Sequence, residues 1–242
     1  MARIALLNNV DHHDLRLERR RGAANGEDIN QVRVFPSEFR NLQRDYPLFF
    51  RRGDDGTFHT VALLGLDAGE NLYLDETGGD AKWTARFIPA ILDRGPFSIG
   101  VEQQGDNQGH MMMLDLDHPW LGHERGEPLF LSHGGNGPAV TRAAETLRLL
   151  HEGVALERDM FAALAELNLL AALDINLRVD ETREYLIPGL YTLHAEALRA
   201  LDGEVLRRLY LHGFLDLATC VLLSHDNLDR LITEKSRRLG NL

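Results

Sequence analysis

The sequence predicts an α+β fold, in which a β-rich N-terminal part with embedded helices (residues 1–135) packs with a mainly helical C-terminal part (residues 136–242). Short apolar or alternating runs fill the first half, and Gly, Asp and Pro separate them, as is typical of strands and turns. In the second half, apolar residues recur every three or four positions, which is the spacing of an amphipathic helix. Because the predicted loops are short, we expect one continuous domain over residues 1–242.

The predicted strands are short runs rich in β-branched and aromatic residues. In chain order they are RIALLNN, NQVRVFP, YPLFFRR, FHTVALLGL, ENLYLD, PFSIGVE and HMMMLDLD. The Asp55-Gly56 pair predicts a hairpin turn between the third and fourth of them, because Gly readily takes the positive φ of tight turns. The Gly-, His- and Asp-rich residues 103–139 predict a long loop.

Two helices are expected within this first half. Ser37 is a candidate N-cap for a helix that Pro47 ends. A second helix is expected over residues 81–95, with Pro89 near its start or at a kink and Gly95 at its end.

The second half predicts a long helix over residues 139–174, with Gly153 as a point where it divides in two. An extended piece over residues 175–193 follows. Two short helices are then expected on either side of Asp202 and Gly203. The last helix, over residues 214–238, is strongly apolar and has a basic final turn that suits the helix dipole.

The charge balance argues against a nucleic-acid partner. The chain has 242 residues, with 26 Lys and Arg against 37 Asp and Glu, so its formal net charge is −11. Nucleic acids and anionic membranes attract the opposite sign. One cysteine, no secretory leader pattern and no apolar run of bilayer length lead us to expect a cytoplasmic protein without membrane insertion.

Histidines supply the main candidates for metal chemistry. His12 and His13 are adjacent, and side chains that are adjacent on a strand point to opposite faces, so one ion cannot take both unless the chain turns. His118 and His123 lie in the predicted loop sequence HPWLGHE, with Glu124 beside them, and such a loop could wrap a transition metal together with His12. The competing interpretation is that His12 is a buried, hydrogen-bonded structural residue. No nucleophile or phosphate-loop motif is present, so no cofactor is predicted and a transition metal is the main alternative.

A set of motifs spreads over nearly the whole chain. In order they are LNNVDHHDLRL, VRVFPSEFRNLQRDYPLFF, VALLGLDAGENLYLD, WTARFIPAILDRGPFSIG, RGEPLF and a closing stretch from GLYTLHAEALRAL to LLSHDNLDRL. Together they resemble the SapC family of bacterial proteins. That resemblance implies gene neighbours such as tryptophan-halogenase-like enzymes, cupin-like proteins and TonB-dependent receptors. It implies no established activity.

The functional hypothesis combines this context with the residues. We expect a non-catalytic cytoplasmic accessory protein that recognises a peptide or protein client, beside a modifying enzyme or a TonB-dependent receptor system, and that could form a homo-oligomer. The alternatives are a metal-dependent, oxidative enzyme that uses His12 and loop histidines, and a structural protein of the surface layer. The candidate binding residues are the polar or amphipathic members of the matched motifs: His12, Arg16, Tyr46, Asn71 and Trp83.

Overall fold

The structure is a computed structural model that describes residues 3–77, 81–104 and 107–240. Its strands are β1 (Ile4–Leu6), β2 (Arg16–Leu17), β3 (Gln31–Val34), β4 (Leu48–Arg52), β5 (Phe58–Leu63), β6 (Leu74–Asp75), β7 (Lys82–Trp83), β8 (Phe97–Gln104), β9 (Asn107–Asp115), β10 (Leu121–Gly122), β11 (Glu127–Pro128), β12 (Leu170–Arg178) and β13 (Glu184–Leu193). Its α-helices are α1 (Phe39–Leu42), α2 (Ala90–Asp93), α3 (Pro138–Glu166), α4 (Ala195–Arg199), α5 (Gly203–Leu211), α6 (Phe214–Ser224) and α7 (Asn227–Arg238). The α+β class is therefore confirmed.

The largest sheet has five antiparallel strands in the order β12-β13-β4-β5-β3. β4 and β5 form the predicted hairpin, and Gly56 has the expected positive φ of 81°. β12 and β13 come from the half of the chain that was predicted to be mainly helical. The predicted helix over residues 139–174 therefore ends too late. α3 ends at Glu166, and Asn168 then adopts a left-handed φ of 53° that turns the chain into β12.

Helices cover both faces of this sheet. Phe49 and Phe50 are adjacent in β4, so their rings point to opposite faces. Phe50 meets Phe161 of α3 edge-on, with ring centroids 4.9 Å apart, and Phe49 stacks on His225 at the end of α6, at 4.5 Å. Both phenylalanines are fully buried, which explains why β4 reads as a continuous apolar run.

A second hydrophobic core lies beneath the sheet β1-β9-β8. Phe97, Leu114 and Trp120 are buried there, and the first half of α3 packs against them through Leu147. α3 has 29 residues and reaches both cores. Residues 103–139 contain β9 to β11 rather than one long loop, and positions 105 and 106 lie outside the described residues.

Two expectations about Gly153 and Ser37 are wrong for one reason. α3 runs unbroken through Gly153, where an added Cβ would lie 2.5 Å from Phe35 Cβ and from Ser37 Oγ. Ser37 is not an N-cap. It lies inside a 3₁₀ turn, Pro36–Glu38, and its hydroxyl donates to Leu149 O of α3 at 2.8 Å. Because Gly153 has no Cβ, α3 and the 3₁₀ turn can come into contact at this point.

Two of the other predicted helices differ from the structure. Over residues 81–95 only α2 is helical, with Pro89 as its N-cap residue, because Lys82 and Trp83 pair with β6 instead. Residues 214–238 form two helices that are separated at His225 and Asp226. The short helices around Asp202 are confirmed, and the Asp202 carboxylate accepts the first N–H groups of α5.

No helix in the described part of the chain is both long enough and apolar enough to cross a bilayer.

Candidate functional site

Tyr46, Asn71 and Trp83 lie in one neighbourhood, whereas His12 and Arg16 lie in another. Trp83 Nε1 donates to Tyr46 Oη at 2.6 Å, and Tyr46 Oη donates to Phe87 O at 2.5 Å. Tyr46 is fully buried and Trp83 is half-buried. Burial raises the pKa of the Tyr46 hydroxyl far above its usual value, so that it remains a neutral donor.

Asn71 holds the next stretch of chain in place. Its side-chain amide donates to Glu27 O at 2.8 Å, and its side-chain oxygen accepts the Tyr73 N–H at 3.0 Å. Tyr73 packs against Tyr46, with ring centroids 4.5 Å apart. The Tyr73 hydroxyl donates to Asp45 O at 2.6 Å, and burial raises its pKa well above the usual value. Asn71 therefore positions an aromatic pair.

A salt bridge connects this aromatic pair to α7. Arg230 Nη1 lies 2.7 Å from Asp45 Oδ1, and the other Asp45 oxygen accepts the Arg86 N–H at 3.2 Å. The Arg230 guanidinium also lies over the Tyr73 ring, 5.6 Å from its centroid, within cation–π range. Asp45 is buried, but 44% of the Arg230 side chain is exposed, so this arginine links the buried cluster to the protein surface.

An open groove of about 470 Å³, here named the α7 groove, lies beside this cluster. Its lining residues are Leu72, Tyr73, Asp75, Thr84, Arg230, Leu231, Thr233, Glu234 and Arg237. Its size falls in the usual range for small-molecule sites, roughly 300–1,000 Å³. Leu72, Tyr73 and Leu231 are almost fully buried and form an apolar floor, while the charged and hydroxyl side chains form the rim.

The rim charges alternate along α7. Arg230, Glu234 and Arg237 are spaced four and three residues apart, so they share one face of the helix. Arg237 Nη2 lies 2.7 Å from Glu234 Oε1. Hydrogen bonds from Arg237 and Arg238 hold the pKa of Glu234 below its usual value, so this carboxylate stays ionised at neutral pH.

Contacts beyond the rim fix the position of α7. Arg238 donates to three backbone carbonyls, those of Asn71, Leu72 and Leu74, at 3.2, 3.0 and 2.9 Å. The Lys235 ammonium is buried and lies 2.6 Å from carboxylate oxygens of both Asp67 and Glu70. Because these bonds reach the chain before and after Asn71, both walls of the groove have fixed geometry.

His12 and Arg16 stabilise the region around β2. His12 is buried, and its Nδ1 lies 3.2 Å from Asn8 N and 3.1 Å from Asn8 O, so it closes a local turn. Arg16 Nη1 donates to Gly126 O at 2.9 Å. These contacts fit the structural interpretation of His12.

The three metal candidates are in different settings. His118 Nδ1 accepts the Trp120 N–H at 3.2 Å, and burial lowers the pKa of His118. His123 is exposed, with Nδ1 3.1 Å from Asp14 Oδ2. Among the described residues, no three His, Cys, Asp or Glu side chains form a group that could hold a metal ion. The hypothesis of a metal site therefore gains no geometric support.

Most of the groove residues were not predicted from the sequence. Asp45, Tyr73, Arg230, Glu234 and Arg237 were not among the candidate residues, although the charge spacing along α7 was a readable signal. The spacing indicates a site only once Asp45 and Tyr73 are known to lie beneath α7. The sequence alone does not show this, because both residues are far from α7 along the chain.

The fold and site define an α+β protein in which motif residues build a buried aromatic cluster beneath an open groove of mixed charge. The family model SapC matches residues 7–231 of the 242 residues. The chain therefore belongs to the SapC family, which confirms the resemblance. A search of curated proteins and a search of solved structures each returned no match.

Proposed function

We propose that the protein is a non-catalytic accessory protein that binds a peptide or protein client in the α7 groove. The observation that carries this proposal is the combination of an apolar floor with a rim of alternating charge. Peptide sites commonly take an apolar side chain into a pocket while polar groups fix its orientation.

The rim offers both signs of charge to such a client. Arg230 uses Nη1 for Asp45 while much of its side chain stays exposed, and 60% of the Arg237 side chain is exposed. These guanidinium groups suit carboxylates, and Asp75 on the rim suits a cationic group, because both Glu234 oxygens already accept from Arg237 and Arg238. Thr84 and Thr233 are exposed and supply hydroxyl groups for backbone amides.

The cellular setting of the proposal rests on family resemblance and on composition. In that setting the protein would support a modifying enzyme or a TonB-dependent receptor system, and binding would take place in the cytoplasm. The acidic net charge of −11 fits a protein or peptide client better than a nucleic acid.

The test uses peptides selected from a random displayed library on the wild-type protein. Thr233→Trp would fill the α7 groove, and Thr219→Trp is a matched control on α6. Both threonines are exposed, and each donates its hydroxyl to the carbonyl four residues earlier, at 2.8 Å in Thr233 and 2.9 Å in Thr219.

We expect Thr233→Trp to weaken binding of the selected peptides by about tenfold or more, while Thr219→Trp leaves it unchanged. Equal affinity of both variants for the peptides would place the site elsewhere. A selection that enriches no peptide would also contradict the proposal.

A further inference from the structure

β12 is an edge strand of the five-stranded sheet, and within the described residues it pairs only with β13. Its outward-facing groups can be assigned from the hairpin end. Val179 N donates to Arg183 O at 3.0 Å, so Val179 and Arg183 form a hydrogen-bonded pair of the antiparallel ladder. Bonded and non-bonded pairs alternate along an antiparallel ladder. The N–H and C=O groups of Asn176 and Arg178 therefore point away from the sheet, where another strand could pair with them.

The side chains along this edge are also arranged for a strand partner. Asp174, Asn176 and Arg178 are exposed, whereas Ile175 and Leu177 are buried. One strand thus presents an acid and a base on the same face, at equal distances before and after an asparagine. The Asp174 carboxylate accepts the Gly189 N–H at 2.9 Å.

This spacing is complementary to itself. When two copies of β12 run antiparallel about a two-fold axis at Asn176, Asp174 lies directly opposite the partner's Arg178. The same contact occurs a second time by symmetry. The neighbouring registers, displaced by two residues, set Arg178 opposite Asn176 or Ala172 and lose both charge pairs. Opposite charges that face each other across strands stabilise a pair, so they select the register centred on Asn176.

We propose that the protein forms a symmetric dimer through antiparallel pairing of two β12 strands about Asn176, so that the two five-stranded sheets become continuous. Edge charges and the β-bulge between Leu173 and Ile175 normally discourage unspecific edge pairing. In this dimer Asp174 and Arg178 face each other across the two-fold axis in addition to their contacts within the hairpin, where Arg178 Nε lies 3.8 Å from Glu184 Oε1, so the same features favour one register. The proposed dimer does not depend on the client groove, because no residue of β12 lines that groove.

The test is sedimentation velocity of the full chain over a wide range of concentrations. The wild type should sediment as a dimer that dissociates on dilution. Asp174→Arg and Arg178→Asp each place like charges opposite one another twice, and each should weaken the dimer about tenfold. The double variant, Asp174→Arg with Arg178→Asp, restores both pairs and should restore the dimer.

Asn176→Pro provides a second test. The Asn176 N–H points outward, so proline removes the two symmetry-related hydrogen bonds between copies and none within the sheet. This variant should keep the wild-type circular dichroism spectrum and be monomeric. A wild type that is monomeric at every concentration would overturn the proposal. A dimer that the single charge variants leave unchanged, or that the double variant fails to restore, would overturn it as well.

Discussion

The carboxylate of Glu38 accepts the backbone N–H of Ala90, at 2.8 Å from Oε2, across 52 positions of the chain. Its other oxygen accepts the Phe35 N–H at 3.0 Å. Glu38 is buried, so one side chain joins the turn before α1 to the first residue of α2. The turn that contains Glu38 and the helix α2 lie in two of the sequence motifs that resemble the SapC family. The motif residues here serve the packing of the fold.

Glu38 should make stability depend on pH. Burial raises its pKa to about 7 from an ordinary 4.5, although the two N–H groups act in the opposite direction. Between these values the unfolded chain loses the proton before the folded chain does, so stability falls as pH rises. The full change is about 3 kcal/mol.

The measurement is urea unfolding of wild type and Glu38→Gln from acidic to mildly basic pH. The free-energy difference between wild type and variant should decline across this window and level off above pH ~7. A constant difference would show that Glu38 does not titrate with the expected shift.

Tyr46→Phe should destabilise the fold by about 2 kcal/mol. The change removes the acceptor of Trp83 Nε1 and the donor to Phe87 O, and it leaves both partners without that bond. Tyr210→Phe is the control, because Tyr210 is 63% exposed and its loss should cost little. Chemical denaturation of both variants gives the comparison. Equal stability of the two would mean that the Tyr46 bonds contribute nothing net.

Gly153→Ala should also destabilise, by about 2 kcal/mol, against the usual preference of helices for alanine. The added Cβ would lie 2.5 Å from atoms of Phe35 and Ser37, so α3 would have to move away. Gly203→Ala in α5 is the control, because an added Cβ there meets nothing within 4 Å. We expect the control to be neutral or stabilising in thermal unfolding. A Gly153→Ala protein as stable as wild type would contradict the close contact.

His12→Ala should lower stability by about 1–2 kcal/mol, because it leaves a cavity and removes the hydrogen-bond partner of the partly buried Asn8 backbone. His123→Ala, at an exposed position, should change stability by less than about 0.5 kcal/mol. Elemental analysis of the purified proteins checks the metal hypothesis at the same time. We expect the metal content of His12→Ala to equal that of wild type. Loss of stoichiometric iron, zinc or copper in this variant would instead make His12 a ligand.

Much of the fold was predictable because the signals that determine it are local. Short apolar or alternating runs predicted β3, β4 and β5, and Asp55-Gly56 predicted the turn between the last two. Asp202 and Gly203 predicted the break between α4 and α5, since turn residues act on their immediate neighbours in the chain. The family motifs were readable for the same reason, as they are short and lie in order.

The sequence by itself determined which segments can form strands and helices, and to which family the chain belongs. Only the tertiary structure decided their partners. It placed β12 and β13 in the main sheet, and it set Arg230 against Asp45 across 185 positions. It also turned Gly153 from a helix breaker into a contact point. The physical reason is that periodicity and capping are short-range properties of the chain. The choice of a strand neighbour or salt-bridge partner depends instead on packing between distant segments, and local sequence does not encode it.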